Sequence, residues 1–304
     1  VLQRFMRIFT KRAFLPIVGI YMAEYAGLTV PQMAFIATFV SVLGLVTQIP
    51  TGYLADKISR LYSMRVGAIV LTSGSLFYFI KPDFMGVLIA ASLLQLGYSF
   101  FDGAIQALMH DTLAFLDRTQ DYSKVMSRAQ SWGLFGNFIV VTLAGLTYNI
   151  DPRIPFVIGS IAYFTLALIV FMMVDPRVDR TVKSKKSDFS IVFKPAVGFF
   201  LVVIGLIAAM GSGPSHFYSL AQREAGLSIV LISIVSGSAS LIAGVLGFAN
   251  HRLQRIPTWS FMTLDIGVLV LNFISYSTKN VPFIVFAAIA SMYFFRYRMI
   301  IYEH

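Results

Sequence analysis

Cysteine is absent from all 304 residues. That excludes a disulfide framework, a thiolate metal site and a cysteine nucleophile. Charge is scarce as well: Asp, Glu, Lys and Arg make up only 12% of the chain, against about a quarter in an ordinary soluble domain. With 57% hydrophobic residues, so little charge cannot cover a protein of this size with a polar surface. No HExxH metal motif, phosphate-binding P-loop or nucleophile elbow occurs, so no metal, no cofactor and no enzyme activity are expected. The first apolar run leads directly into the body of the chain, and no cleavable signal peptide is expected.

What the chain has in abundance is apolar sequence in runs of about 20 residues, each long enough to cross a hydrocarbon layer about 30 Å thick as a helix. A transmembrane barrel would show alternating segments of about ten residues instead. The runs predict an all-α, polytopic membrane protein. About ten crossings are expected, at roughly 7–27, 32–54, 62–80, 84–109, 128–149, 154–174, 196–217, 227–249, 258–277 and 281–299.

Basic residues test this threading, because cytoplasmic loops are enriched in Lys and Arg. With the N-terminus inside, all but four of the 24 basic residues fall in inner segments, and the outer loops keep only Lys81, Arg153, Arg223 and Lys279. Both visible termini are therefore expected to be cytoplasmic. The net charge of +10 then reflects this asymmetry and contact with anionic lipid. Nucleic-acid binding is excluded, because the basic residues are divided among six separate segments.

The longest polar stretch contains DPRVDRTVKSKKSD and follows the sixth crossing. It predicts an N-terminal six-helix bundle over 1–175, a cytoplasmic linker over 176–195 and a C-terminal bundle of about four helices over 196–304. A short repeat supports the division. Ala26-Gly27-Leu28-Thr29 follows the first crossing and Ala225-Gly226-Leu227-Ser228 follows the seventh, which is the pattern of two parallel halves.

Between the second and third crossings stands GYLADKISRLYSMR, residues 52–65. This segment resembles the signature loop of the major facilitator superfamily. In that family a Gly permits close helix approach, an Asp ends one helix and basic residues open the next. The matching positions here are Gly52, Asp56, Lys57, Arg60 and Arg65, with Ser59 where a second Gly is usual. The segments 24–32, 104–111 and 127–133 are similar to drug-efflux-type and uncharacterised bacterial members, and the likeness covers essentially the whole chain. The counterpart loop in the second half has Gly247, Asn250, His251 and Arg252 without the Asp, the fourth crossing lacks the Arg of many proton-coupled members, and the fifth lacks a Gly-Pro pair.

The resemblance implies a major facilitator fold of two parallel bundles in a bacterial plasma membrane. It implies a monomeric secondary transporter that moves a small solute by alternating access, with proton-coupled efflux as one form and protons as the coupling ion. The loop at Asp56 would lock one conformation rather than touch substrate. The family usually has about twelve crossings, so the last two are expected to be missing here.

Candidate transport residues come from the polar positions inside the apolar runs. Ser92, Gln95, Ser99, Asp102, Gln106 and His110 recur every three or four residues on the fourth crossing and predict one polar face. A carboxylate in a crossing is costly, so Asp102 is expected to line a wet cavity, pair with a cation or carry a proton; a packing hydrogen bond between helices is the alternative. Tyr98 is a candidate cavity aromatic. Asn137 on the fifth crossing and Asp265 on the ninth are further candidates, and Glu24 near the outer end of the first is read as either interfacial or substrate-binding. Two other classes compete with transport. One is a transport-inactive membrane scaffold or receptor; the other is an intramembrane aspartyl protease, for which Asp102 and Asp265 are the obvious pair.

Overall fold

A computed structural model describes residues 15–102, 104–174, 215–247, 258–278 and 280–301, and every regular element in them is helical. The expected linker at 176–195 and most of the seventh crossing lie outside the described residues. The first crossing is described from α1 (Leu15–Ile20), which widens into a π turn over Tyr21–Tyr25. It is followed by α2 (Val30–Lys57), α3 (Arg60–Ile80), α4 (Phe84–Phe101), α5 (Ala104–Phe115), α6 (Tyr122–Tyr148) and α7 (Ile154–Met172). The later helices are α8 (Ser215–Glu224), α9 (Ile229–Gly247), α10 (Thr258–Thr278) and α11 (Val281–Ile301).

Five stretches among the described residues are long and apolar enough to span a membrane: 30–57, 60–80, 84–115, 124–148 and 154–172. Large apolar side chains stand exposed on their outer faces, among them Phe35, Leu45, Ile161 and Phe164, where lipid rather than water is the matching solvent. The helices alternate in direction, so the protein has two ends. The loops at 26–29, 81–83, 149–153 and 225–228 meet at one, here the sparse end; those at 58–59 and 116–121 lie at the other, the basic end.

Capping chemistry sets the helix starts. Thr29 opens α2 in a capping box, its N–H donating to Gln32 Oε1 at 2.9 Å. Ser59 opens α3 by accepting from the Tyr62 N–H, and Asp83 opens α4 by accepting from the Gly86 N–H at 2.7 Å. The repeat seen in the sequence is also one in conformation. Gly27 and Gly226 are the described glycines at positive φ, +65° and +95°, and each ends a helix in the left-handed geometry that a Cβ disfavours. In both copies the following leucine is buried and its N–H returns to the preceding helix, Leu28 to the Met22 carbonyl and Leu227 to the Gln222 carbonyl.

One expectation is corrected. The fourth crossing is not a single helix over 84–109: α4 stops at Phe101, Asp102 is extended at ψ 133°, and α5 begins at Ala104. The helix ladder ends with the Asp102 N–H on the Tyr98 carbonyl at 2.8 Å. The break falls at an Asp-Gly dipeptide, whose side chain and backbone freedom favour turns over helix. The fifth crossing, expected from 128, starts earlier at Tyr122.

In the N-terminal part α3 is central, packed along α4 and α7 and touching α2. The main contacts that join that part to the C-terminal helices are an extensive one of α9 against α6, one of α8 against α1 and a smaller one of α9 against α1.

Candidate functional site

The site is clearest where the N-terminal and C-terminal helices meet. At the sparse end Glu24, in the π turn that ends the first crossing, accepts from the Arg223 Nε at 3.0 Å. Arg223 lies in the last turn of α8. The sequence read Glu24 as interfacial or substrate-binding and did not find its partner, although a signal was present. Glu24 stands two residues before Ala26-Gly27-Leu28 and Arg223 two before Ala225-Gly226-Leu227. Equivalent positions of two repeats related by a two-fold-like axis meet each other when they lie close to that axis.

The π turn is braced from below and beside. Its wider ladder bonds the Ala26 N–H to the Tyr21 carbonyl at 2.9 Å. Tyr21 is fully buried, stacks on Tyr25 with ring centroids 5.2 Å apart, touches Phe156 and donates to the Tyr78 carbonyl. Arg153, in the loop before α7, donates from Nε to the Tyr25 hydroxyl and lies over its ring. That hydrogen bond raises the Arg153 pKa above its ordinary value, so the guanidinium stays charged. The turn that carries Glu24 is thus fixed by a second arginine.

Deeper in the protein α6 and α9 form a close seam. A Cβ on Gly145 would come within 2.2 Å of Ser233 Oγ, so that glycine is needed for this approach, and one on Gly237 would lie 3.0 Å from Thr142 Oγ1 and 3.2 Å from Phe138, a tight contact. Asn137 is 1% exposed and donates from Nδ2 to Ser240 Oγ at 2.9 Å. The candidate Asn137 therefore links an N-terminal to a C-terminal helix.

The polar face of the fourth crossing is divided by the break at Asp102. Gln95 lies over Gly44 of α2, whose added Cβ would meet Gln95 Nε2 at 2.6 Å. Ser99 is buried, with its Oγ 2.9 Å from Thr47 Oγ1, and its carbonyl accepts from Thr51 Oγ1 at 3.0 Å. These two candidates serve the α2–α4 contact. Tyr98 points elsewhere and shares a hydrogen bond with the buried Tyr163 hydroxyl of α7. Asp102 is half-buried at the α4 end. It follows Phe100, whose carbonyl accepts from Ser63 Oγ near the start of α3 at 3.0 Å, so it lies toward the basic end rather than at mid-depth. Beyond the break Gln106 is exposed, and His110 meets Tyr122 edge-on.

The loop at 52–65 makes contacts within the N-terminal helices. Arg60 pairs with Asp111 of α5 and donates to the Ala107 carbonyl at 3.0 Å. Arg65 donates from Nη2 to the Phe171 and Met173 carbonyls at the end of α7, at 3.3 and 3.0 Å. Its charge thereby neutralises unpaired carbonyls at a helix C-terminus. Lys57 lies over the Tyr53 ring, and Asp56 is exposed on the last turn of α2. A Cβ on Gly52 would meet nothing within 4 Å. Ser59, in the place of the usual second glycine, has extended backbone at φ −171° and caps α3, so that position does not require glycine.

Asp265 lies on α10, but its side chain is outside the described residues. Asn272, seven residues further on, is buried and donates to Ser291 of α11 and to the Val268 carbonyl. The sequence missed Arg223, Arg153, Ser240, Tyr163 and Asp111, because each is defined by a partner far along the chain.

Comparison with protein families matches residues 1–300 to the model described as Major Facilitator Superfamily. Comparison with curated protein sequences found no match. Among solved structures, a variant of the nucleoside transporter NupG superposes with a TM-score of 0.84 at 13% identity, covering 99% of this chain and 80% of that one. A D-xylose-proton symporter gives 0.60 at 13% identity, with 97% and 78% covered. The peptide transporter PepTSo gives 0.60 at 11%, with 95% and 79% covered. At these identities the likeness is one of fold.

Proposed function

The chain belongs to the Major Facilitator Superfamily, a transporter family, and on that premise we propose that it is a secondary transporter carrying a small solute by alternating access between an N-terminal and a C-terminal bundle. The observation that carries this reading is the Glu24 to Arg223 ion pair. It joins the two sets of helices at one end, and its side chains are 40% and 41% exposed. A joint held by a half-exposed pair is weak and reversible, as a gate must be. On this reading the basic end is cytoplasmic, and the Glu24 to Arg223 pair closes the outer side. The loop from Gly52 to Arg65 braces the N-terminal bundle at the opposite end, with Asp56 as the acid left to meet the C-terminal bundle when that side shuts.

Asp102 is our candidate for proton coupling. It is half-buried at a helix break, and a change in its charge would be felt by α4 and α5 together. Reconstitution into vesicles tests the reading. A transporter gives solute flux that follows a proton gradient when Asp102 is the coupling acid, and loading solute inside or outside gives export or import. Absence of flux for a wide solute panel, from protein that is folded and inserted, would favour the scaffold reading.

A further inference from the structure

At the sparse end the surface between α2 and α4 holds a groove of about 450 Å³, lined by Pro31, Gln32 and Phe35 of α2 and by Phe84, Met85 and Leu88 of α4. Both helices start at that end and run in parallel, so their first two turns frame the groove. Its shape follows from side-chain size along one register. Further in, small and hydroxyl residues let the helices close: an added Cβ on Gly44 would meet Gln95 Nε2 at 2.6 Å, and Thr47 Oγ1 lies 2.9 Å from Ser99 Oγ. The same pairing carried toward the sparse end sets Phe35 beside Phe84, ring centroids 6.1 Å apart and planes tilted by 44°. Phe39 stacks on Phe35 one turn further in. The helix pair is a wedge, closed toward the basic end and open at the sparse end. Along α2, Pro31 to the closure at Gly44 is about 20 Å, against about 15 Å for the hydrocarbon of one leaflet. An acyl chain fits that slot.

The rim of the slot is polar and of mixed sign. Lys81 and Asp83 stand in the turn that leads into Phe84, both about half exposed, with Lys81 Nζ 3.7 Å from Asp83 Oδ2. That is longer than a hydrogen bond. Asp83 Oδ1 caps α4, accepting from the Gly86 N–H at 2.7 Å, which leaves Oδ2 and the Lys81 ammonium to bond a ligand. Across the slot the turn from Ala26 to Thr29 adds no charge, and the Gln32 amide oxygen accepts from the Thr29 N–H. One cation and one anion therefore stand side by side above an apolar groove.

Such a rim selects among lipids by headgroup. An anionic headgroup gains Lys81 but also meets the Asp83 carboxylate. A phosphoethanolamine headgroup matches both, its phosphate accepting from Lys81 and its ammonium donating to Asp83. Phosphocholine carries the same two charges but has no N–H to donate. The tails gain little by leaving bulk lipid for the slot, because both are apolar, so the headgroup decides.

We propose that the α2–α4 groove binds one phosphatidylethanolamine molecule, with an acyl chain against Phe35, Phe84 and Leu88 and the headgroup bridging Lys81 and Asp83. The site requires only that the chain spans a membrane, and it stands apart from the transport reading.

The test is native mass spectrometry of the full chain, purified in detergent and mixed with equal amounts of phosphatidylethanolamine, phosphatidylglycerol and phosphatidylcholine bearing identical acyl chains. One phosphatidylethanolamine should be retained over either competitor by at least about twofold, the effect of one half-exposed ion pair. Asp83→Asn keeps the α4 cap but turns the outer atom from an acceptor into an N–H donor, and should bring phosphatidylethanolamine and phosphatidylcholine to parity. Leu88→Trp fills the slot and should abolish the preference; Met85→Trp fills it from the exposed side of the same helix and gives a second reading if the first variant folds poorly. Equal retention of the three lipids by the parent, or a preference for phosphatidylglycerol or phosphatidylcholine, would overturn the proposal. So would a phosphatidylethanolamine preference that survives Asp83→Asn or the groove-filling variants.

Discussion

Neutralising Glu24 should loosen the sparse end by a small and definable amount. The Glu24 carboxylate and Arg223 guanidinium are 3.0 Å apart. Unit charges at that distance attract by about 1.4 kcal/mol in water and about 5.5 kcal/mol at an effective dielectric of 20. Neither figure is the net effect, because closing the pair strips water from both groups and fixes two long side chains. Exposed pairs stabilise by about 0.2–1 kcal/mol net, and side chains 40% and 41% exposed belong to that class. Glu24→Gln should therefore shift the closed-to-open ratio toward open by about 1.4- to 5-fold. The packing of α8 against α1 and the α6–α9 seam still hold the closed state, so the end should not fall open. Spin labels on cysteines at Val30 and Leu231, exposed positions on opposite sides of the joint, would report the two populations as a distance distribution. About 1 M salt, where the Debye length is about 3 Å, should shrink the difference between wild type and variant. Exchanging the charges, Glu24→Arg with Arg223→Glu, should restore the original distribution. An unchanged distribution for Glu24→Gln at low salt, a shift beyond about tenfold, or no recovery in the exchanged pair would refute the assignment of this ion pair as the joint.

Gly27→Ala and Gly226→Ala should each lower thermal stability by about 1–2 kcal/mol; the space around both is open, so the loss measures backbone strain alone, and an unchanged melting temperature would contradict the positive φ. Arg65→Ala should destabilise by about 1 kcal/mol through loss of the α7 cap, visible as faster hydrogen exchange confined to the end of α7. Asp56→Asn should lower turnover more than substrate affinity, because the side chain lies at a helix end away from the seam; binding and flux measured on one preparation would decide. Asp102→Asn should insert and melt like the parent while gradient-driven flux falls sharply, and flux equal to the parent's with and without a proton gradient would remove Asp102 from the coupling path.

The sequence by itself determined the membrane class, the helical fold and the family. Apolar runs of crossing length and the GYLADKISR segment are local properties, and local properties survive being read one residue at a time. It also carried the paired AGLT and AGLS turns, because a glycine at positive φ followed by a buried leucine is required by the hairpin itself. The break at Asp102 was locally encoded too, as an Asp-Gly dipeptide, but the three- and four-residue spacing of Ser99, Asp102 and Gln106 imitates a continuous helical face, and periodicity counts residues without seeing where the hydrogen-bond ladder stops.

Partners were decided only by tertiary structure. Glu24 meets Arg223 across 199 positions, Asn137 meets Ser240 across 103, and Arg65 meets the end of α7 more than 100 residues away. No pattern along the chain specifies whether Gln95 and Ser99 face a cavity or a neighbouring helix; packing against Gly44, Thr47 and Thr51 decides it. The same polar residue is a structural bond or a transport group according to what lies opposite, and what lies opposite is set by how the helices pack.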